Sequence, residues 1–155
     1  MKIAQYVGIG VLVLLVIVAI AAPIGPLPGF FIGGTTTAAP TDWPDTANTD
    51  EIILKVPGGI PRVVIIWVIE HQDELYVVGA KGSGWVDKIG STSPVEMRLG
   101  ERTYSLTATA VQQGWEPIMQ AYIDKYQPDY PDIVAGFPSI EEAQDSIGVF
   151  RLDRP

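Results

Sequence analysis

The stretch Pro61-Arg62-Val63-Val64-Ile65-Ile66-Trp67-Val68-Ile69-Glu70, followed by His71-Gln72-Asp73 and then Glu74-Leu75-Tyr76-Val77-Val78-Gly79-Ala80, decides how this chain folds. From Val63 to Ile69 every position is apolar and most are β-branched, the pattern of a strand covered on both faces. The polar triplet His71-Gln72-Asp73 separates it from a second β-rich run, so the two read as a hairpin with His71 at the turn. Upstream, Glu51–Val56 is a further strand, closed by Pro57-Gly58-Gly59. Downstream, Val95, Met97 and Leu99 alternate with Glu96 and Arg98, the period of a half-buried strand. After the turn at Gly100-Glu101, Tyr104, Leu106, Ala108 and Ala110 alternate with Thr103, Ser105, Thr107 and Thr109 in a fifth strand. The small Ala108 and Ala110 read as tight packing beneath the helix that follows.

That helix is marked by Trp115, Ile118, Met119, Tyr122, Ile123 and Tyr126, one apolar stripe at a 3.6-residue period, with Glu116 and Pro117 suited to its first turn. A shorter helix is predicted over Ser139–Asp145, where Ser139 and Glu142 have capping-box spacing, and Ile147–Leu152 reads as a closing strand. Hairpin-linked short strands, one amphipathic helix and no parallel βαβ signal predict a mainly β (α+β) domain, an antiparallel barrel or sandwich.

Between Lys2 and Asp42 the chain has no charged residue, and Ile3–Ala22 is almost continuously Val, Leu, Ile and Ala. Twenty such residues rise about 30 Å as a helix, the thickness of a bilayer's hydrocarbon. A cleaved secretory signal is the rival, with Ala19-Ile20-Ala21 as its small-x-small site, but the apolar stretch is long for a signal core. We therefore read residues 1–22 as a single transmembrane anchor in contact with membrane lipid. Residues 23–50 read as a Pro/Gly/Thr-rich linker, within which Phe30-Phe31-Ile32 is an apolar triplet, and residues 51–155 as the folded domain. Lys2 on the amino-terminal flank places that domain on the non-cytoplasmic side.

The residues beyond the leader carry all 18 acidic side chains and nine of the ten basic ones, a balance that repels phosphate backbones and argues against a nucleic-acid partner. With no cysteine and one histidine, neither a disulfide nor a thiolate metal site can form, and no metal is expected.

Chemistry concentrates in Gly79-Ala80-Lys81-Gly82-Ser83-Gly84-Trp85, which leaves a strand and enters a loop with three glycines, a cation and a hydroxyl. Such a loop can turn backbone amides onto an anion, with Lys81 and Ser83 adding a charge and a donor; by spacing alone it also reads as a flexible turn. Taken with Gly58-Gly59-Ile60-Pro61-Arg62-Val63-Val64, with Trp85-Val86-Asp87-Lys88-Ile89, and with Arg102-Thr103-Tyr104-Ser105-Leu106-Thr107-Ala108-Thr109, it resembles the split-barrel flavin and deazaflavin (F420)-dependent nitroreductase family over roughly Glu51–Val111.

The resemblance implies a six-stranded antiparallel split β-barrel, often homodimeric, that binds FMN or F420 and reduces quinones or nitro compounds. It implies that Lys81, Gly82 and Ser83 hold the cofactor phosphate, with Arg62 reaching in from the neighbouring strand, and that Trp85 opens a short helix and walls the ring. Two functions follow as expectations. The first is a membrane-anchored oxidoreductase that passes hydride from a reduced flavin or deazaflavin to a quinone or nitro compound. The alternative is a membrane-tethered binding module without cofactor or catalysis, favoured by a Lys81–Trp85 loop shorter than the family's, by Gly90 where the family has a basic residue, and by the exported orientation. Haem, which related barrels hold, would find only His71 as an axial ligand.

Overall fold

The computed structural model describes residues 12–14 and 29–155. The predicted membrane helix falls, apart from residues 12–14, outside the described residues; among these no helix is long and apolar enough to cross a membrane. The strands are β1 (Thr35–Thr36), β2 (Glu51–Val56), β3 (Arg62–His71), β4 (Glu74–Ala80), β5 (Thr92–Leu99), β6 (Arg102–Ala110) and β7 (Ile147–Asp153). The helices are α1 (Gly84–Ile89), α2 (Glu116–Tyr126), α3 (Pro131–Val134) and α4 (Ile140–Ser146).

Strands β2 to β7 run in the order β6-β5-β2-β3-β4-β7, and β7 returns to pair with β6, which closes a six-stranded antiparallel barrel and excludes the sandwich. β3 makes the closure work. Its residues Arg62–Trp67 pair with β2 and Val68–His71 with β4, so the wall changes partner part-way along one strand. The turn from β3 to β4 uses Gln72 and Asp73, at φ 53° and 65°, the left-handed pair that a two-residue hairpin of right-handed twist requires. His71 is thus the last residue of β3, paired with Glu74, rather than part of the turn.

Side chains alternate across the wall. Leu54, Val68, Leu75, Met97 and Leu152 fill the interior with essentially no exposure, while Ile69 faces outward under α2. Ala108 also points into the barrel interior, so its small size serves the barrel and not the helix; α2 packs instead on β3. The stripe predicted for α2 is buried at Ile118, Met119, Tyr122 and Tyr126. Tyr126 stacks on Trp67 with ring centroids 4.1 Å apart and planes 11° from parallel.

The partner change in β3 leaves backbone groups to satisfy, and α2 supplies them. The Tyr126 hydroxyl accepts from the Val68 N–H at 3.0 Å and lies 2.6 Å from the Val68 carbonyl and 2.7 Å from that of Asp50. Lys125 Nζ donates to the carbonyls of Thr46, Thr49 and Val68 at 2.9, 2.6 and 2.9 Å. Burial pushes the Tyr126 phenol upward from its ordinary pKa, so it keeps its proton and remains a donor, and burial draws Lys125 downward. The capping box predicted at Ser139 and Glu142 is present, with the Ser139 side chain accepting from the Glu142 N–H.

Residues 29–50 do more than a linker would. Gly29 exchanges both backbone hydrogen bonds with Val63 at 2.9 Å, on the half of β3 that has no β4 partner. The chain then crosses to β6, where β1 pairs parallel at Thr35↔Arg102 and Thr36↔Thr103. Trp43, 6% exposed, enters the barrel core edge-on to Tyr104 at 5.2 Å.

Replacing Tyr126 by Phe should cost about 0.5–1.5 kcal/mol, the usual net worth of a hydrogen bond, since the Val68 N–H still donates to the Asp50 carbonyl at 3.2 Å and Lys125 still serves the Val68 carbonyl. Ile118→Asp should cost more, about 3–5 kcal/mol, by placing an unpaired charge in a site 5% exposed. Urea unfolding followed by tryptophan fluorescence measures both; unchanged midpoints would mean that the α2 interface is wet.

Candidate functional site

α1 begins where β4 ends, and it sorts the five sequence-predicted site residues into three places. Ser83 is its N-cap and Trp85 its second residue. At 100° per residue, Gly84 and Lys88 share one flank, Trp85 and Ile89 share the next, and Val86 and Gly90 face the third direction.

On the first flank, the Arg62 guanidinium lies across Gly84. A Cβ there would sit 2.6 Å from Arg62 Nη2, so any other residue would push the guanidinium aside. Lys88 lies likewise against Gly58, where a Cβ would meet its Nζ at 3.0 Å. Neither cation belongs to an ion pair among the described residues, whose pairs are Lys55–Glu96, Arg151–Asp153 and Arg154–Glu74.

The second flank faces the barrel. Trp85 is 7% exposed and packs on Phe150 at 5.7 Å between ring centroids, and Gly79 has no side chain because a Cβ would come within 2.1 Å of the Trp85 ring. The ring expected to wall a cofactor is therefore sunk in the interior, where it closes the end of the core opposite Trp43: Phe150 pairs with Ala110 at the end of β6, and Tyr104 lies near its start.

The third flank borders a groove of about 510 Å³, walled by α1, α4, β7 and the segment after β6. Ala110, Val111, Gly148, Val149 and Trp115 give it an apolar lining, and Lys81, Asp87, Gln112, Gln144 and Asp145 give it a polar one. Lys81 holds the corner, with Nζ donating to the Gln144 carbonyl at 2.5 Å and its N–H to the Ser146 carbonyl at 2.8 Å. It thereby satisfies carbonyls that the last turn of α4 leaves without intrahelical donors. Two further N–H bonds of its ammonium remain available. The start of α4 is held by Ser139, whose hydrogen bonds to Glu142 keep that carboxyl below its ordinary pKa.

Between the flanks lie Gly82 and Ser83. Gly82 is exposed at φ 84° with open space where a Cβ would be, and the Ser83 Oγ is buried without a hydrogen-bond partner. The loop thus brings Lys81, Gly82 and Ser83 together, while Arg62 stands on the far flank of α1 and Trp85 inside the barrel. Sequence reasoning missed the groove's other walls. Ala110 was the available signal, as a small residue at the end of the inward parity of β6; Trp115, Gln112 and Gly148 reach the groove only through the path of the chain after β6 and through β7.

Among the described residues no group of three His, Cys, Asp or Glu side chains could hold a metal ion. The groove lining contains no His, Cys, Met or Tyr, so haem would find none of its usual axial ligands there.

No family model matches the chain, and no curated protein matches it. Solved structures do. The FAD and heme binding protein from Mycobacterium smegmatis is similar at 13% identity over 71% of this chain and 63% of that chain, with a TM-score of 0.50. HutZ, the heme storage protein from Vibrio cholerae, is similar at 16% identity over 72% of this chain and 86% of that one, also with a TM-score of 0.50. A NimC/NimA family protein from Clostridium acetobutylicum is similar at 12% identity over 69% of this chain and 76% of that chain, with a TM-score of 0.48. The fold is a split barrel.

Because Gly79 makes room for Trp85, Gly79→Ala should destabilise the chain by about 2–3 kcal/mol through overpacking. Gly82→Ala, with space but a left-handed backbone, should cost only about 1 kcal/mol. Thermal unfolding of the two variants side by side checks the ranking, and equal losses would place the Trp85 ring elsewhere.

Proposed function

We propose that this chain is a membrane-tethered split-barrel redox protein that holds a phosphorylated flavin or deazaflavin, FMN or F420, in the groove beside α1. One observation carries the reading. A groove of about 510 Å³, within the range of small-molecule sites, has Lys81 in its lining, and the chain continues from Lys81 into an exposed glycine and a hydroxyl that has no partner.

The residues fit the group. Lys81 would hold the phosphate through its two remaining N–H bonds, with the Gly82 amide and Ser83 hydroxyl beside it. The small Ala110 and Gly148 leave room for a flat ring, and Trp115 offers it an aromatic wall. When bound, such a cofactor supplies hydride transfer, for which the resemblance implies a quinone or nitro compound as acceptor, and the protein supplies binding, orientation and exclusion of water. The anchor read in residues 1–22 would keep this site near lipid-soluble acceptors, outside the cytoplasm.

A second reading is the tethered binding module without cofactor. It is favoured by Trp85, which is buried in the core, and by Lys81, which already serves the α4 carbonyl.

Titration of the full chain in detergent with FMN and with F420, followed by cofactor fluorescence, decides between them. Lys81→Ala should weaken binding by about 1.5–3 kcal/mol, roughly tenfold to a hundredfold or more, by removing a charge-assisted bond. Ala110→Leu should weaken it by filling the groove, with a loss insensitive to salt where that of Lys81→Ala is not. Arg62→Gln should leave it unchanged. No binding of either cofactor at tens of micromolar would favour the cofactor-free module.

A further inference from the structure

We infer that the end of the barrel formed by the β2–β3 loop and the strap at residues 29–34 lies on the membrane surface, with Phe31 and Ile60 inserted among the lipids and Arg62 and Lys88 on anionic headgroups. The apolar side chains are the first ground. Phe31 and Ile60 are 71% and 68% exposed, the most exposed large hydrophobics among the described residues. Both lie within three residues of the Gly29–Val63 pair, one on each of the two paired segments. Large apolar residues left in water at one end of a domain mark an interaction surface.

Charge is the second ground. The chain has 18 acidic residues, yet none falls in residues 29–41 or 52–69, which include the strap and the β2–β3 loop; on the neighbouring elements the acids are Asp87 in α1 and Glu101, whose carbonyl accepts from the Thr35 N–H. The cations that face this end, Arg62 across Gly84 and Lys88 against Gly58, have no ion-pair partner among the described residues. An acidic protein that keeps its strap and β2–β3 loop free of acid and sets two unpaired cations beside exposed aromatic and aliphatic side chains offers the pattern that anionic interfaces attract.

The third ground is where the chain comes from. The charge-free sequence Ile3–Ala22 precedes Gly29 by only Pro23-Ile24-Gly25-Pro26-Leu27-Pro28, which at full extension reaches about 20 Å. The point at which the strap joins β3 therefore cannot stray far from a bilayer that the leader enters. The strap and the β2–β3 loop, the segments joined at that point, carry no acidic residue. The groove beside α1 is on the other flank of that helix, so this surface can dock without covering it.

The absence of native cysteine makes the test direct. Phe31→Cys, Ile60→Cys and, as an exposed apolar control in α3, Ile133→Cys are each labelled with a fluorophore in the full chain, which is reconstituted into vesicles carrying shallow spin-labelled lipid. With 30% anionic lipid by design, the labels at 31 and 60 should be quenched at least threefold more than that at 133. Combining Arg62→Gln with Lys88→Gln should lower the docked fraction, with about a fivefold weaker equilibrium for each charge removed, as should high salt or neutral lipid. Equal quenching at all three positions overturns the proposal. Quenching at 31 and 60 that ignores both the charge changes and the lipid overturns the headgroup part of it. Ile60→Ser, followed by hydrogen exchange of the β2–β3 loop in the same vesicles, guards against a label that inserts by itself: protection lost with the side chain supports docking, and protection absent from the parent chain overturns it.

Discussion

The structure depends on one strand that changes partner. β3 pairs with β2 up to Trp67 and with β4 from Val68 onward, and every other element is arranged around that handover. A strand that leaves one neighbour for another exposes a backbone donor and acceptor at the crossing, in a place too buried for water to satisfy them. Tyr126 and Lys125 occupy that place, which is why α2 is a structural part of the barrel and not a decoration on it. The same handover leaves the first half of β3 open on the β4 side, and Gly29 fills part of that edge with a pair of backbone hydrogen bonds. Edges so covered are unavailable to a second chain.

α1 follows from the same opening. A six-residue helix is too short to be stable alone, and it holds because Trp85, Val86 and Ile89 complete the barrel core. Having spent its aromatic side chain on the interior, the helix presents different chemistry on its two remaining flanks. One carries the groove with Lys81 at its corner, and the other carries Arg62 and Lys88 toward the β2–β3 loop. Two cations that look like one phosphate site along the chain, Arg62 and Lys81, stand in different places, one across Gly84 and the other at the groove. The proposed cofactor groove and the proposed membrane-facing surface therefore draw on different residues.

Much of this was legible beforehand. The two-sided apolar run in β3, the alternation in β5 and β6 and the stripe of α2 each report a local period that the backbone must obey, and all the strands expected from them are present. The capping box at Ser139 was legible for the same reason: its geometry spans only four residues. Trp43 was not, because a single aromatic in a Pro- and Thr-rich segment carries no period, and its burial depends on the space left beside Tyr104 by strands more than fifty residues away. The separation of Arg62 from Lys81 was hidden as well, since it is set by the rotation of α1 against the barrel.

By itself, then, the amino-acid sequence determined the six long strands, the helices at Glu116–Tyr126 and Ile140–Ser146, the acid-free first 41 residues and the loop chemistry at Lys81, Gly82 and Ser83, all of which are properties of neighbouring residues. Only the tertiary structure decided that the strands close into a barrel, that Trp85 belongs to its core, that residues 29–50 are strapped across it, and that Ala110, Trp115 and Gly148 meet around one groove. Closure is a matter of long-range register. Whether β7 returns to β6 depends on the accumulated twist of six strands and on the partner change in β3, and no local period encodes that sum.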